Sequence, residues 1–104
     1  MAKIVAVVSD LMLASRVSES LKAAGHEVSV VPSLPDPLEA EAIVCDLDTA
    51  DLDAVAATGL PTLGFYSHVD IKTKQRAEEA GLKLAVPRSR MSRELPELIT
   101  KLRA

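Results

Sequence analysis

Five short apolar runs are spaced along this chain, none long enough to be an independent helix: Ile4–Val8, Val28–Val31, Ile43–Cys45, Thr62–Tyr66 and Leu84–Val86. They are dense in apolar residues rather than alternating, the pattern of strands buried on both faces. Between them lie stretches with helical spacing. Ala14, Val17, Leu21 and Ala24 mark one such stretch over Leu11–Ala24, and Leu95, Leu98, Ile99 and Leu102 mark another over Ser92–Arg103. Shorter helices are expected over Leu52–Thr58 and over Ile71–Ala80, the latter capped by Asp70. Gly25, Gly59 and Gly81 each fall where a helix must stop before the next strand. Pro96 is tolerated only in or beside the first turn of the last helix. The segment Pro32–Glu41 holds three prolines and little periodicity, so it reads as a loop with at most one helical turn. Strands alternating with helices on both sides imply an α/β fold with a parallel sheet, as a single domain over residues 1–104.

Composition narrows the function. Phe65 and Tyr66 are the only aromatic residues, and the formal charge is −3. Base stacking and phosphate-backbone attraction are both poorly served, so nucleic acid is not an expected partner. Cys45 is the only cysteine and cannot form an internal disulfide, which fits a reducing compartment. The first apolar run is too short for a leader or a membrane span. A soluble, cytoplasmic protein is the expectation, with no membrane partner.

In open α/β sheets, ligands bind beyond the carboxyl ends of the strands. Ser9 and Asp10 follow the first strand, and Asp46 and Asp48 follow the third. Tyr66, Ser67 and His68 follow the fourth, and Arg88, Ser89 and Arg90 follow the fifth. Carboxylates, hydroxyls and a guanidinium converging on one rim would suit a divalent cation beside a phosphoryl group.

These residues resemble the receiver domain of bacterial response regulators. The resemblance covers nearly the whole chain and rests on VVSD at 7–10, VCDLD at 44–48, the Pro61–Ser67 strand and AGLKLAVPRS at 80–89. It implies a flavodoxin-like three-layer sandwich with strand order 2-1-3-4-5, its second helix shortened or missing. It also implies that Asp46 is the phosphoacceptor. Asp10, Asp46 and the backbone carbonyl of Asp48 would hold Mg²⁺, and Ser67 and Arg88 would contact the phosphate. Departures from the family pattern weaken that chemistry. Ser9 stands where the first carboxylate belongs, Tyr66 at the switch hydroxyl with Ser67 one step on, Arg88 at the lysine and Ser89 at the proline. One missing carboxylate weakens a Mg²⁺ site without abolishing it. Tyr66 cannot follow a new phosphate as a small hydroxyl does. Arg88 could pair with Asp46 and close the site as an internal cation, with Asp10 as the nearest acidic neighbour of Asp46.

Plainer roles compete at each position. Asp10 could simply cap the first helix. The series Asp46, Asp48, Asp51 and Asp53 lacks the glycine and terminal glutamate of a calcium loop. His68 and Asp70 have no second histidine nearby, and His26 lies at the opposite end of the sheet, so solvated loop histidines are expected. Cys45 reads as an inert strand residue. Arg88, Arg90 and Arg93 form either a solvated basic loop or an anion or partner contact. The resulting expectation is a stand-alone receiver-like or pseudo-receiver signalling module, not an enzyme. It would act through a protein partner, with homodimerisation through residues 71–103 and weak phosphorylation of Asp46. The alternative is a nucleotide- or flavin-binding α/β domain, disfavoured because the segment after the first strand carries no glycine.

Overall fold

The computed structural model describes residues 2–67 and 71–104. Strands β1 (Lys3–Val7), β2 (Glu27–Val31), β3 (Ala42–Asp46), β4 (Thr62–Tyr66) and β5 (Leu84–Pro87) form one sheet. Its order is β2-β1-β3-β4-β5 with every pair parallel, as the apolar runs imply. Helices α1 (Leu11–Ala23), α2 (Leu52–Ala57), α3 (Ile71–Glu79) and α4 (Arg88–Arg103) connect the strands. The central strands β3 and β4 are buried at every position. Both sheet faces are therefore covered, and the layers stack as helix, sheet, helix.

The two cores follow from strand parity. Ile4, Ala6, Val44, Leu63 and Phe65 face α1 and α4, which contribute Leu13, Val17 and Leu21, and Met91, Leu95, Leu98, Ile99 and Leu102. Val5, Val7, Ile43 and Cys45 face the other side, against Val55 of α2 and Ala77 of α3. No helix joins β2 to β3. The segment 32–41 crosses that corner irregularly, and its Leu34, Leu38 and Ala40 pack partly buried against the second core. Three prolines deny the segment the backbone donors a helix needs. Edge strand β2 consequently keeps Glu27, Ser29 and Val30 exposed.

Local chemistry sets the helix ends. Asp10 Oδ1 accepts from Leu13 N–H at 3.1 Å and starts α1. At its far end, His26 N–H donates to Leu21 and Gly25 N–H to Lys22, each at 3.0 Å, with Gly25 at φ +89°. That paired closure needs a left-handed residue, which glycine adopts without the Cβ penalty. His26 is only partly exposed. Its Nδ1 accepts from Ala2 N–H at 3.0 Å, so it pins the start of β1 rather than standing in solvent. Burial, followed by nearby positive charge, pushes its pKa below 6.5.

The last helix departs from the expected boundary. It begins at Arg88, directly after β5, instead of at Ser92. Glu94 at φ −122°, ψ 17° breaks it into a short first segment and a second one entered through Leu95 and Pro96. Pro96 thus lies in the opening turn of the second segment, where its missing N–H costs nothing. The arginines at 88, 90 and 93 are helical, which corrects the loop expected there. The expected Asp70 cap of α3 lies outside the described residues. Among the described residues no helix is long and apolar enough to cross a membrane.

Candidate functional site

Parallel strands place all their carboxyl ends on one rim, and the residues following β1, β3, β4 and β5 do meet there. Asp46 closes β3 and is 8% exposed. Its Oδ1 accepts from Asp48 N–H at 2.9 Å, and its carbonyl accepts from Ala50 N–H at 2.8 Å, so the chain turns sharply away from the sheet. Asp48 Oδ2 then accepts from Ser67 N–H at 3.0 Å, tying the β3 turn to the end of β4. On the other flank, Arg88 reaches Asp10, with its Nη2 at 3.7 Å from Oδ2.

Two expectations about charge are corrected here. Arg88 pairs with Asp10 rather than with Asp46. Among the described residues no basic side chain forms an ion pair with Asp46. The carboxylate weighing most on Asp46 is Asp48, ahead of Asp10. The reason is topological: Arg88 opens α4, which lies on the α1 side of the sheet. Burial raises the pKa of Asp46, and the charges of Asp48 and Asp10 push the same way. The Asp48 N–H bond and the Arg88 charge offset part of that rise. The Arg88–Asp10 pair is half exposed at both ends, so it contributes at most about 1 kcal/mol.

The carboxylates are few for a divalent ion. Among the described residues no three His, Cys, Asp or Glu side chains gather into a metal-holding group. Asp10, Asp46 and Asp48 each already accept a backbone N–H with one oxygen. The free side of Asp10 faces a cation. The residues therefore fit Mg²⁺ poorly as they stand.

Tyr66, expected from the resemblance at the switch hydroxyl, is a strand residue only 4% exposed and paired with Pro87 across the β4–β5 ladder. Ser67 is exposed at the rim. His68 and Asp70 lie outside the described residues. Cys45 is fully buried, and burial, with the Asp46 charge behind it, pushes its pKa up to about 12. It is expected to stay unlabelled by a disulfide reagent at pH 8 in the native state and to label fully in denaturant. Native-state labelling at the denatured rate would contradict this burial.

Three participants carried no sequence signal of their own. A Cβ built on Gly64 would lie 2.8 Å from both Cγ and Cδ1 of Leu47, so this glycine makes room for the residue between Asp46 and Asp48. Arg16 of α1 and Ser92 of α4 line the same cavity as Arg88. Arg16 follows Met12 by one helical turn, which places both on one helix face, but nothing local says that α4 lies opposite.

No family model matches the sequence, nor does any curated protein sequence. Solved structures do match. A CheY-like response regulator receiver domain protein from Methanospirillum hungatei JF-1 superposes with a TM-score of 0.84 at 16% identity, covering 98% of this chain and 94% of that one. The non-phosphorylated HemR receiver domain from Leptospira biflexa gives 0.81 at 18%, covering 100% and 95%. A LuxR-family DNA-binding response regulator from Staphylococcus aureus gives 0.85 at 13%, covering 100% of both chains. The chain has the receiver fold. At these identities the likeness speaks for the fold alone.

Proposed function

We propose that this chain is a receiver-like signalling module with a degenerate phosphorylation site, acting through protein contacts. The observation that carries this reading is the Arg88–Asp10 pair beside an Asp46 that forms no ion pair among the described residues. In a working site of this geometry, a cation would neutralise Asp10 and Asp46 together. Here a side-chain cation already sits against Asp10, so Mg²⁺ must compete with Arg88 and would bind weakly. Asp46 keeps the position of a phosphoacceptor, at the strand end with its carboxylate near the rim. Transfer from acetyl phosphate would join an Asp46 oxygen to phosphorus and release acetate. Without a firmly held cation, that attack brings two anions together unassisted. Buried Tyr66 removes the mobile hydroxyl that would sense the product, so coupling to a second state is weak.

Partner contact has two candidate surfaces. The face formed by residues 71–103, the expected homodimer surface, presents Ile71 at 67% exposure. Leu11 and Met12 stand 86% and 83% exposed at the start of α1, next to Asp10. Apolar side chains this exposed in adjacent positions suit a protein contact at the rim itself.

Acetyl phosphate or beryllofluoride with Mg²⁺, followed by intact mass and by amide NMR shifts, tests the reading. Slow, sub-stoichiometric modification that disappears in Asp46→Asn is expected, with Ser9→Asp increasing it. Fast, complete modification of the unaltered chain would establish a working receiver and overturn the degenerate-site reading. Modification persisting in Asp46→Asn would remove Asp46 from it.

A further inference from the structure

We propose that the cavity between the start of α1 and the start of α4 binds a small anion carrying a phosphate group, at a site separate from Asp46. Arg16 of α1, Ser67 after β4, and Arg88, Ser89, Ser92 and Arg93 of α4 surround an open cavity of about 540 Å³. Three arginines, three serines and Pro87 line it, and among the described residues no carboxylate does. A smaller adjoining cavity shares Arg16, Arg88 and Ser92 and brings in Asp10, which offsets one of the three charges. The other two stand unbalanced. Among the described residues Arg16 has no ion-pair partner, and Arg93 engages only through Nε to the Ser89 carbonyl at 3.4 Å.

Three arginines around one cavity raise the local positive potential, which favours an anion there. Guanidinium forks donate in pairs to phosphate oxygens, and hydroxyls fill the remaining acceptor directions. A tetrahedral dianion uses donors arriving from three elements better than a planar carboxylate does. The cavity is also open enough for a phosphate attached to a larger group. Nothing in this arrangement needs Asp46 or a metal. Because Arg88 serves both cavities, an anion bound here competes with Asp10 for it.

The test is an amide NMR titration of the full chain with inorganic phosphate, pyrophosphate and glycerol phosphate, at constant ionic strength with chloride as reference. Saturable shifts at Ser67, Ser89 and Ser92 are expected with at least one phosphate ligand and not with chloride. Preference for glycerol phosphate would assign an organic phosphomonoester, and preference for the other two an inorganic anion. Arg16→Gln and Arg93→Gln are each expected to weaken binding about tenfold, the usual size of one charged hydrogen-bonded contact. Both arginines are exposed, so the fold should survive, and unchanged chemical-shift dispersion checks it. Asp10→Asn, which preserves the helix cap, should tighten binding by removing the competitor. Asp46→Asn should retain binding, at most slightly tightened because Arg88 feels the Asp46 charge, which separates this site from the phosphorylation reading. Shifts that match those of chloride, or full affinity in the Arg16→Gln/Arg93→Gln double variant, would overturn the proposal.

Discussion

Replacing Gly64 by alanine is expected to destabilise the folded chain by about 1–3 kcal/mol, the usual cost of overfilling a packed core. The added methyl would lie within 2.9 Å of Cγ, Cδ1 and Cδ2 of Leu47, so the whole isobutyl group must move rather than one terminal methyl. Gly64 is central in β4, paired with Cys45 on one side and Ala85 on the other, so the strand cannot retreat. Leu47 sits between Asp46 and Asp48, so the displacement should also disturb the rim. Urea unfolding should show a lower midpoint at unchanged slope. The Ser67 amide, which donates to Asp48, should shift in the NMR spectrum. Adding Leu47→Ala to Gly64→Ala should recover part of the loss as a favourable coupling. Stability equal to the unaltered chain, or no coupling between the two positions, would show that the contact relaxes freely.

Asp46→Asn is expected to stabilise the chain at neutral pH, by on the order of 1 kcal/mol, as relief of an unfavourable charge commonly does. The sign follows from linkage. Asp46 has a folded pKa above its ordinary 3.8, because burial and the charges of Asp48 and Asp10 disfavour the anion. The folded state therefore binds the proton more tightly than the unfolded chain. Its contribution is most favourable below pH 3.8 and is lost as pH rises through the folded pKa. Asparagine cannot ionise, and its carbonyl oxygen can still accept from Asp48 N–H. The difference in melting temperature between the two proteins should be small in acid, grow as pH rises above 3.8, and level off above the folded pKa. A difference independent of pH, or a destabilised variant at pH 7, would mean that Asp46 is satisfied as an anion.

The same burial that makes Asp46 costly makes it informative. A carboxylate only 8% exposed, with no cation paired to it among the described residues, is not a stabilising feature of the fold. Such groups are commonly kept for chemistry. The proposed Arg16–Arg88–Arg93 site is the complementary case, a surplus of cations without enough carboxylates. The two lie on one rim and share Arg88 through Asp10, so charge introduced at either is felt by the other.

Much of this protein was determined by its sequence alone. The dense apolar runs dictate strands buried on both faces, and only a parallel sheet between helices buries them so. Gly25 and Gly81 end their helices through the same paired closure, a local property of the backbone. The prolines of 32–41 forbid a regular second helix, again locally. The rim positions of Asp10, Asp46, Ser67 and Arg88 follow from strand ends in a parallel sheet. What tertiary structure decided was pairing. Asp46 ends β3 and Arg88 follows β5 on the same rim, but α4 carries Arg88 to the α1 side, toward Asp10. The kink at Glu94 converts an apparent loop into helix, because Pro96 bars one continuous helix without barring two. Gly64 looks like a weak strand residue until Leu47 is seen folded over it. Arg16 has the spacing of any solvent-facing helix residue. Its role depends on the packing of α1 beside α4, and side-chain convergence between elements distant in sequence has no local signature.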